Sequence, residues 1–282
     1  MIAEFISSWE LFQNAYLTGG LLAIMLSLLG VVVFARDQIF VGAAIAQLSA
    51  LGIASGLLLA PFVAEPKFHE FILSICGIGA AILATLLTRT DRGLERIESS
   101  EVRTGWVFLL GGSLSVVLLS QSPIGRDEVS RLLSSSILGA STTEVWIVSL
   151  MAGITVTVFI GFRDYVRLFV IDPLNADAVG VPVKRIELMF SLWLGLAVGM
   201  SMKLSGMLFT FGALILPVML AARWANTVGG TILLAPLIAV LATFVAFVTA
   251  NHFDLPPGQA AAALLSLAII PSWLVARLVK RC

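Results

Sequence analysis

The chain has 282 residues, of which 59% are hydrophobic and 12% are charged, and its formal net charge is zero. A soluble domain carries about 25% charged residues, so this composition excludes an ordinary soluble protein and indicates one that crosses a membrane several times. The equal numbers of acidic and basic residues also exclude the basic surface that a nucleic-acid-binding protein needs.

The first fourteen residues predict a helix that lies at the membrane surface and leads into the first span. Their large apolar residues fall on one face of a helix: Ile2, Phe5, Ile6, Trp9 and Phe12. Such a face is typical of a helix that lies in the interface of the bilayer. We therefore expect an interfacial helix over residues 1–14.

Nine later stretches are long and apolar enough to predict membrane spans, each of which needs about 20 mostly apolar residues. They are residues 15–35, 40–61, 71–87, 105–119, 145–162, 188–202, 207–222, 232–250 and 259–279. We therefore expect an all-α, polytopic bundle of about eight or nine transmembrane helices. It forms a single transmembrane domain over residues 15–282.

Small residues within the spans predict close helix packing. Gly52 and Gly56 form one G-x-x-x-G spacing, and Gly195 and Gly199 form another. This spacing lets two helix backbones approach each other in a membrane. Three prolines also lie inside spans, where they kink a helix or free a carbonyl: Pro217, Pro236 and Pro271.

The lysines and arginines predict which side of the membrane each loop faces. With the N-terminus outside, thirteen of the seventeen bases lie on the inner side. The four on the outer side are Lys67, Arg126, Arg131 and Lys203. Because cytoplasmic loops carry the excess of bases, we expect the N-terminus outside and the C-terminus in the cytoplasm. The polar residues 163–187 then also lie in the cytoplasm.

Residues 163–187 are the most polar interruption of the apolar pattern and predict a short cytoplasmic helix. Asp172 suits the N-cap, Pro173 the first helical position and Gly180 the residue after the last turn. Bases flank this helix on both sides: Arg163, Arg167, Lys184 and Arg185. The pattern alone leaves two interpretations open, an ordinary loop helix or a helix that a cytoplasmic partner binds.

The acidic residues weigh against a transporter that is driven by an ion gradient. All seventeen fall in loops or at span ends. Proton- or sodium-coupled carriers need an ionisable group near the middle of the membrane, and cation channels often use acidic rings. An ion-coupled secondary transporter or channel is therefore the weaker alternative. The chain has no G-x-x-x-x-G-K-[ST] phosphate loop, so a partner has to supply ATP hydrolysis if ATP drives transport.

The remaining reactive side chains do not predict a metal site. Cys76 and Cys282 are far apart in the sequence and are interpreted as lone thiols. His69 and His252 lie at span boundaries and are interpreted as interfacial residues. Methionine in an apolar span usually fills space, and we interpret three methionines in this way: Met200, Met202 and Met207.

Three stretches of the chain resemble the permease subunits of bacterial ABC importers for divalent metals of the zinc, manganese and iron type. Residues 40–56, FVGAAIAQLSALGIASG, resemble the second span of that family. Residues 172–180, DPLNADAVG, resemble its cytoplasmic D-x-x-x-A-x-x-x-G loop. Residues 202–223, MKLSGMLFTFGALILPVMLAAR, resemble its K-x-x-G-x-L…L-L-I-x-P-A-x-x-A signature, which is the most specific of the three.

The resemblance implies a permease of the inner membrane without catalytic activity and without a cofactor of its own. In such importers two permease copies pair and dock on two ATP-binding-cassette subunits, which hydrolyse the ATP. An external solute-binding protein delivers the metal. The resemblance also implies a set of residues that couple the permease to the ATPase: Asp172, Pro173, Ala176, Asp177 and Gly180.

The chain departs from the family pattern in its second span, which usually reads G-D-x-x-x-H. In the family those two side chains face the pathway, one helical turn apart. Here the matching positions are Ala43 and Gln47, which are therefore candidate pathway-lining residues. A methyl group cannot bind a divalent cation, and an amide oxygen is a weak ligand.

This departure leaves several explanations open. In the first explanation, the cation crosses through backbone carbonyls and water alone. In the second, the substrate is a chelate or another solute. In the third, a paralogue in the same complex keeps the metal ligands. For Gln47 a second interpretation is also open, a hydrogen bond between two helices of the bundle.

Overall fold

A computed structural model of the chain describes residues 5, 8–59, 68–89, 100–120, 137–171, 181–225 and 227–279. Within these residues the regular structure is helical and contains no strand, which confirms the all-α prediction. The nine α-helices are α1 Trp9–Ala35, α2 Ile39–Leu59, α3 His69–Thr88, α4 Ser100–Ser120, α5 Thr142–Gly161, α6 Arg163–Ile171, α7 Val183–Trp224, α8 Val228–Phe253 and α9 Pro257–Val279.

Every predicted span falls on one of these helices. Seven of the nine described helices are long and apolar enough to cross a membrane, namely α1 to α5, α7 and α8. α9 contributes a further apolar stretch, Pro257–Ser272. The predicted spans 188–202 and 207–222 both lie in α7, whose 42 residues form two helical segments that meet at a kink. These helices confirm a polytopic bundle of the predicted kind.

The backbone of α7 breaks at Gly206. This residue has φ 76° and ψ 175°, a conformation that glycine adopts without the steric cost that a side chain would add. The three in-span prolines lie inside α7, α8 and α9. Within the described part of α7, the backbone leaves helical dihedral angles at Gly206 and not at Pro217. The break therefore lies between the two predicted spans.

The described helices group into two compact units, each with its own set of contacts. The α1 unit consists of α1, α5, α6, α8, α9 and the part of α7 from Leu208 onward. The α2 unit consists of α2, α3, α4 and the part of α7 that ends at Met207.

In the α2 unit, glycines bring α2 and α3 into backbone contact. A Cβ atom added at Gly52 would collide with the carbonyl oxygen of Cys76. One added at Gly56 would lie 3.1 Å from the Cα atom of Leu73. The first G-x-x-x-G spacing therefore serves the close approach that the sequence predicts.

The second G-x-x-x-G spacing packs the first part of α7 on α3. A Cβ atom added at Gly195 would lie 2.9 Å from the Cα atom of Ile82, and one added at Gly199 would lie 3.0 Å from the Cα atom of Ile78. This prediction is also confirmed, and α3 receives both glycine pairs.

In the α1 unit, large apolar side chains fill the interior. Four side chains of α1 are almost completely buried: Leu22, Met25, Leu26 and Leu29. At the N-terminal end of α1, the rings of Phe5, Trp9 and Phe247 surround Tyr16, with centroids 4.6 to 5.6 Å from its ring. Residues 9–14 belong to the same uninterrupted helix as the first span.

Candidate functional site

Gln47 lies near the middle of α2 and is half-buried among small apolar residues of that helix. Its Nε2 atom donates a hydrogen bond to the Sδ atom of Met207 at 3.4 Å. The structure therefore shows the helix-to-helix hydrogen bond that was one interpretation of Gln47. The partner is a residue that sequence analysis interprets as filler.

Ala43 lies one helical turn before Gln47, so the two side chains share a face of α2. Ala43 is buried and contributes only a methyl group. The pair therefore offers one polar group where the resembling family has two. Their role in lining a pathway stays a prediction.

Two consecutive glycines of α4 bring that helix against Gln47. A Cβ atom added at Gly111 would lie 2.6 Å from the backbone carbon of Gln47, so only a hydrogen fits there. One added at Gly112 would lie 3.2 Å from the Oε1 atom of Gln47. Gly111 thus fixes the distance between α4 and α2, and Gly112 leaves room for the amide oxygen.

The Gly206 break in α7 lies next to Met207, and two buried serines precede it. The Oγ atoms of Ser201 and Ser205 are 3.0 Å apart, and Ser205 also donates to the carbonyl of Ser201 at 2.8 Å. The hydroxyls are therefore paired inside the α2 unit. A helix break, a thioether and an amide occur together here.

The predicted coupling residues Asp172, Pro173, Ala176, Asp177 and Gly180 lie outside the described residues. On their N-terminal side α6 ends at Ile171, and on their C-terminal side α7 begins at Val183. Nothing in the described structure therefore tests the predicted coupling helix.

The bases near this segment make specific contacts within each unit. In the α1 unit, Arg167 pairs with Asp164 at 3.3 Å. In the α2 unit, the Nη2 atom of Arg89 donates to the carbonyl oxygen of Lys184 at 3.2 Å, which ties the end of α3 to the start of α7. The start of α7 is thus tied to α3, whereas the pair of Arg167 and Asp164 lies within α6 itself.

The other reactive side chains occupy the places that the sequence predicts. Cys76 is a half-buried free thiol, and Cys282 lies outside the described residues. His69 is the first residue of α3, and His252 lies in the last turn of α8. In the described part of the chain, no three side chains of His, Cys, Asp or Glu form a group that could hold a metal ion.

Sequence reasoning misses two parts of this arrangement. It places an interruption between the spans 188–202 and 207–222 but does not assign it to one glycine within a single helix. It also does not connect Met207 to Gln47, since the two are 160 residues apart in the chain. The sequence signal for the helix break is the stretch Ser205-Gly206-Met207, which lies inside the most specific of the three resembling stretches.

Comparison with known proteins identifies relatives that share nearly the whole chain. A "Probable metal transport system membrane protein" of Thermotoga maritima is 23% identical over 93% of this chain and 89% of its own length. The "Manganese import system permease protein ScaB" of Streptococcus gordonii is 25% identical over 98% of this chain and 96% of its own length.

The fold also has a solved counterpart. A structure of PsaBC from Streptococcus pneumoniae in complex with a Fab aligns with a TM-score of 0.79 at 22% identity, over 97% of this chain and 95% of that chain. The model of the ABC 3 transport family matches residues 8–276. This range includes all of the described helices except the last three residues of α9. Because this match covers far more than half of the sequence, the chain belongs to the ABC 3 transport family of membrane transport permeases.

Proposed function

We propose that this chain is the membrane permease subunit of an ABC importer that carries a divalent metal ion. The observation that carries the proposal is the match of the ABC 3 transport family over residues 8–276. The names of the two relatives, a metal transport membrane protein and a manganese import permease, support the substrate class. Zinc, manganese and iron remain the candidate metals.

A separate ATPase subunit supplies the energy in this proposal. The positions of four acidic residues support a separate energy source. Each lies in the first turn of its helix: Glu10, Glu70, Glu101 and Glu144. Carboxylates at helix ends cannot serve as a coupling site for protons or sodium at the membrane centre. The permease itself then binds no cofactor, and ATP is hydrolysed by its partner.

The proposed ATPase contact is the segment 172–180, with Asp172, Pro173, Ala176, Asp177 and Gly180 as its coupling residues. The excess of bases on one side supports a cytoplasmic location for this segment and an outer location for the N-terminus. Two permease copies, or this chain and a paralogue, pair in the inner membrane. An external solute-binding protein delivers the substrate.

Purification of the detergent-solubilised chain from its native membrane tests the partners. We expect an ATP-binding-cassette subunit to co-purify, and we expect the reconstituted complex to move ⁵⁴Mn²⁺ or ⁶⁵Zn²⁺ only when ATP is present. A chain that purifies alone and moves the metal down an ion gradient in liposomes would refute the proposal.

Variants of the coupling segment test the contact with the ATPase. Gly180→Pro, or Asp172→Lys combined with Pro173→Gly, should cut ATP-driven uptake because each would disrupt one end of the proposed coupling helix. The elution volume of the solubilised permease should stay unchanged, since the substitutions lie outside the described spans. Gly139→Ala is the control, because its added methyl group meets nothing within 4 Å. Normal uptake by the coupling variants would remove the proposed role.

A permease for a chelated metal is the second candidate function, and the pair Ala43 and Gln47 favours it. These residues provide no strong ligand for a bare cation. The same liposomes distinguish the two substrates when the metal is added either free or as a stable chelate. Uptake of only the chelate would support the second candidate.

A further inference from the structure

We infer that the α2 unit binds an anionic phospholipid. Its phosphate group lies at the ends of α3, α4 and α7, and its acyl chains lie along the exposed apolar surface of α3 and α4. Four bases contact the headgroup and are called the basic end: Arg89, Arg103, Lys184 and Arg185. The inference goes beyond the proposed function, because this lipid is bound and not transported.

The basic end is assembled by three helices that meet at one end of the α2 unit. Arg89 directly follows the last residue of α3, and its Nη2 atom donates to the carbonyl oxygen of Lys184 at 3.2 Å. Lys184 and Arg185 lie in the first turn of α7. Arg103 is the fourth residue of α4, which packs against α3 and runs back from the same end. The four bases therefore share one end of the unit.

Within the described residues, the charge of the basic end is only partly compensated. Arg89 donates to a neutral carbonyl and not to a carboxylate, and its Nε atom is buried without a hydrogen-bond partner. The Nε atom of Arg103 is also buried without a partner. The acidic residues described at this end of the α2 unit are Glu101 and Glu187. A guanidinium group that lacks a protein acceptor favours an anion at its exposed end.

Arg103 is held in position by the packing of α4. Val107, one turn further along, has no exposed surface, and Gly111, two turns further along, contacts the backbone of Gln47 on α2. Residues at this spacing share a helix face, so Arg103 starts from the packed face of α4 and is itself half-buried. A side chain that is already ordered loses less conformational entropy when it binds a ligand.

The backbone adds to the positive potential at the basic end. α4 begins at Ser100 and α7 begins at Val183, so two helix N-termini lie beside the bases. The unpaired N–H groups of a helix N-terminus favour a negative charge. Basic sites between the ends of membrane helices bind anionic phospholipid headgroups. The chemistry of the basic end therefore suits a phosphate group.

The surface next to the basic end suits acyl chains. On α4, the side chains of Val102, Trp106 and Leu109 share a face and are 55 to 66% exposed. On α3, Leu83 and Leu87 are also exposed. Tryptophan is enriched at the level of the headgroups in membrane proteins. An acidic protein could contact only the bases, so the adjacent apolar surface favours a phospholipid.

The first experiment measures lipid binding by the detergent-solubilised full chain. Added phosphatidylglycerol should raise its melting temperature, whereas phosphatidylcholine at the same concentration should not. Arg103→Gln should weaken the apparent affinity for phosphatidylglycerol by about fivefold, the size of the contribution of one base near anionic lipid. Arg163→Gln is the control, because it removes the same charge from an exposed position in the α1 unit and should keep the wild-type affinity.

Two results of this titration would overturn the inference. One is an equal response to the two lipids, and the other is an equal loss of affinity in Arg103→Gln and Arg163→Gln. The elution volume of each variant shows whether it folds. If Arg103→Gln does not elute as the wild type does, Lys184→Gln, at an exposed position of the basic end, should show the same loss.

Two further measurements separate the lipid from other anions. Inorganic phosphate should leave the melting temperature unchanged, and a shift as large as that caused by phosphatidylglycerol would refute a lipid site. If Arg103→Gln keeps its lipid affinity but no longer co-purifies with an ATPase subunit, the basic end binds protein and the inference is refuted. Neither measurement requires transport, so the proposed function can stand when this inference fails.

Tryptophan fluorescence tests the position of the acyl chains, since bromine atoms on a lipid chain quench a tryptophan that they contact. Brominated phosphatidylglycerol should quench the wild-type chain more than brominated phosphatidylcholine does. Trp106→Phe should remove this difference. Trp146→Phe is the matched control, because Trp146 is 73% exposed but lies on α5 in the α1 unit, and it should keep the difference. A difference that survives Trp106→Phe would overturn the inferred position of the lipid.

Discussion

The α1 unit and the α2 unit are built from similarly apolar helices but pack by different means. α1 and α2 are equally buried, yet α1 buries large side chains such as Leu22 and Leu26, whereas α2 buries mainly alanine, serine and glycine. In the α2 unit, glycines place one helix backbone directly on another. In the α1 unit, most of the interior is filled by interlocking side chains.

This difference follows from the physics of a membrane. Lipid tails are as apolar as leucine, so helices associate through van der Waals packing and hydrogen bonds rather than through the hydrophobic effect. A glycine interface gains these contacts by close approach and tolerates no added atom. A side-chain interface gains them by filling volume and tolerates no removed atom. Gly30, which meets the carbonyl of Leu214, is a glycine contact within the α1 unit.

The largest expected effect is the addition of one methyl group to the α2 unit. Gly52→Ala places its Cβ atom on the carbonyl oxygen of Cys76, and the backbone of α3 has to move. We expect a loss of about 3 kcal/mol, at the upper end of the usual cost of overpacking, because the obstacle is backbone. The melting temperature of the solubilised protein measures this loss.

Gly79→Ala is the matched control for that substitution. It lies on α3, and its added methyl group meets nothing within 4 Å. Alanine also favours the helix over glycine, so the melting temperature should stay the same or rise. Equal melting temperatures for Gly52→Ala and Gly79→Ala would contradict the glycine-contact description of the α2 unit.

The second effect is the removal of volume from the α1 unit. Leu26→Ala leaves a cavity in the interior, where Leu26 has no exposed surface, and should cost about 2 to 3 kcal/mol. Leu17→Ala is the control on the same helix, since Leu17 is 46% exposed and should change stability by less than about 0.5 kcal/mol. A similar shift in melting temperature for both would mean that α1 is not the tightly packed centre of its unit.

Much of this architecture can be predicted from the sequence because the membrane imposes simple rules. The nine apolar stretches correspond to helices since a backbone in hydrocarbon has to satisfy its own hydrogen bonds. The spacing of Gly52 and Gly56, and of Gly195 and Gly199, predicts close packing because two small residues one turn apart share a helix face.

Other features depend on tertiary contacts that local patterns do not contain. The sequence does not indicate that Gly52 meets Cys76 or that Gly195 meets Ile82, since any helix could supply the facing backbone. Gln47 has two interpretations in the sequence, and its partner Met207 becomes visible only when α2 and α7 are packed together. No proline lies at Gly206 to predict the break from the sequence. The break forms because glycine can adopt the required dihedral angles by itself.

The smallest expected effect distinguishes two serines of α2 that look alike in the sequence. Ser49 donates a hydrogen bond across to the carbonyl oxygen of Gly77 on α3 at 3.1 Å, whereas Ser55 donates to Leu51 in its own helix at 2.8 Å. Hydrogen bonds between membrane helices contribute about 0.6 kcal/mol on average, so Ser49→Ala should lower stability by about that amount. Ser55→Ala should have almost no effect, because the carbonyl of Leu51 keeps its helical partner. Thermal unfolding of both variants in the same detergent measures the difference. If Ser55→Ala is the more damaging of the two, the contact between α2 and α3 does not depend on hydrogen bonds, and close glycine packing alone holds these helices together.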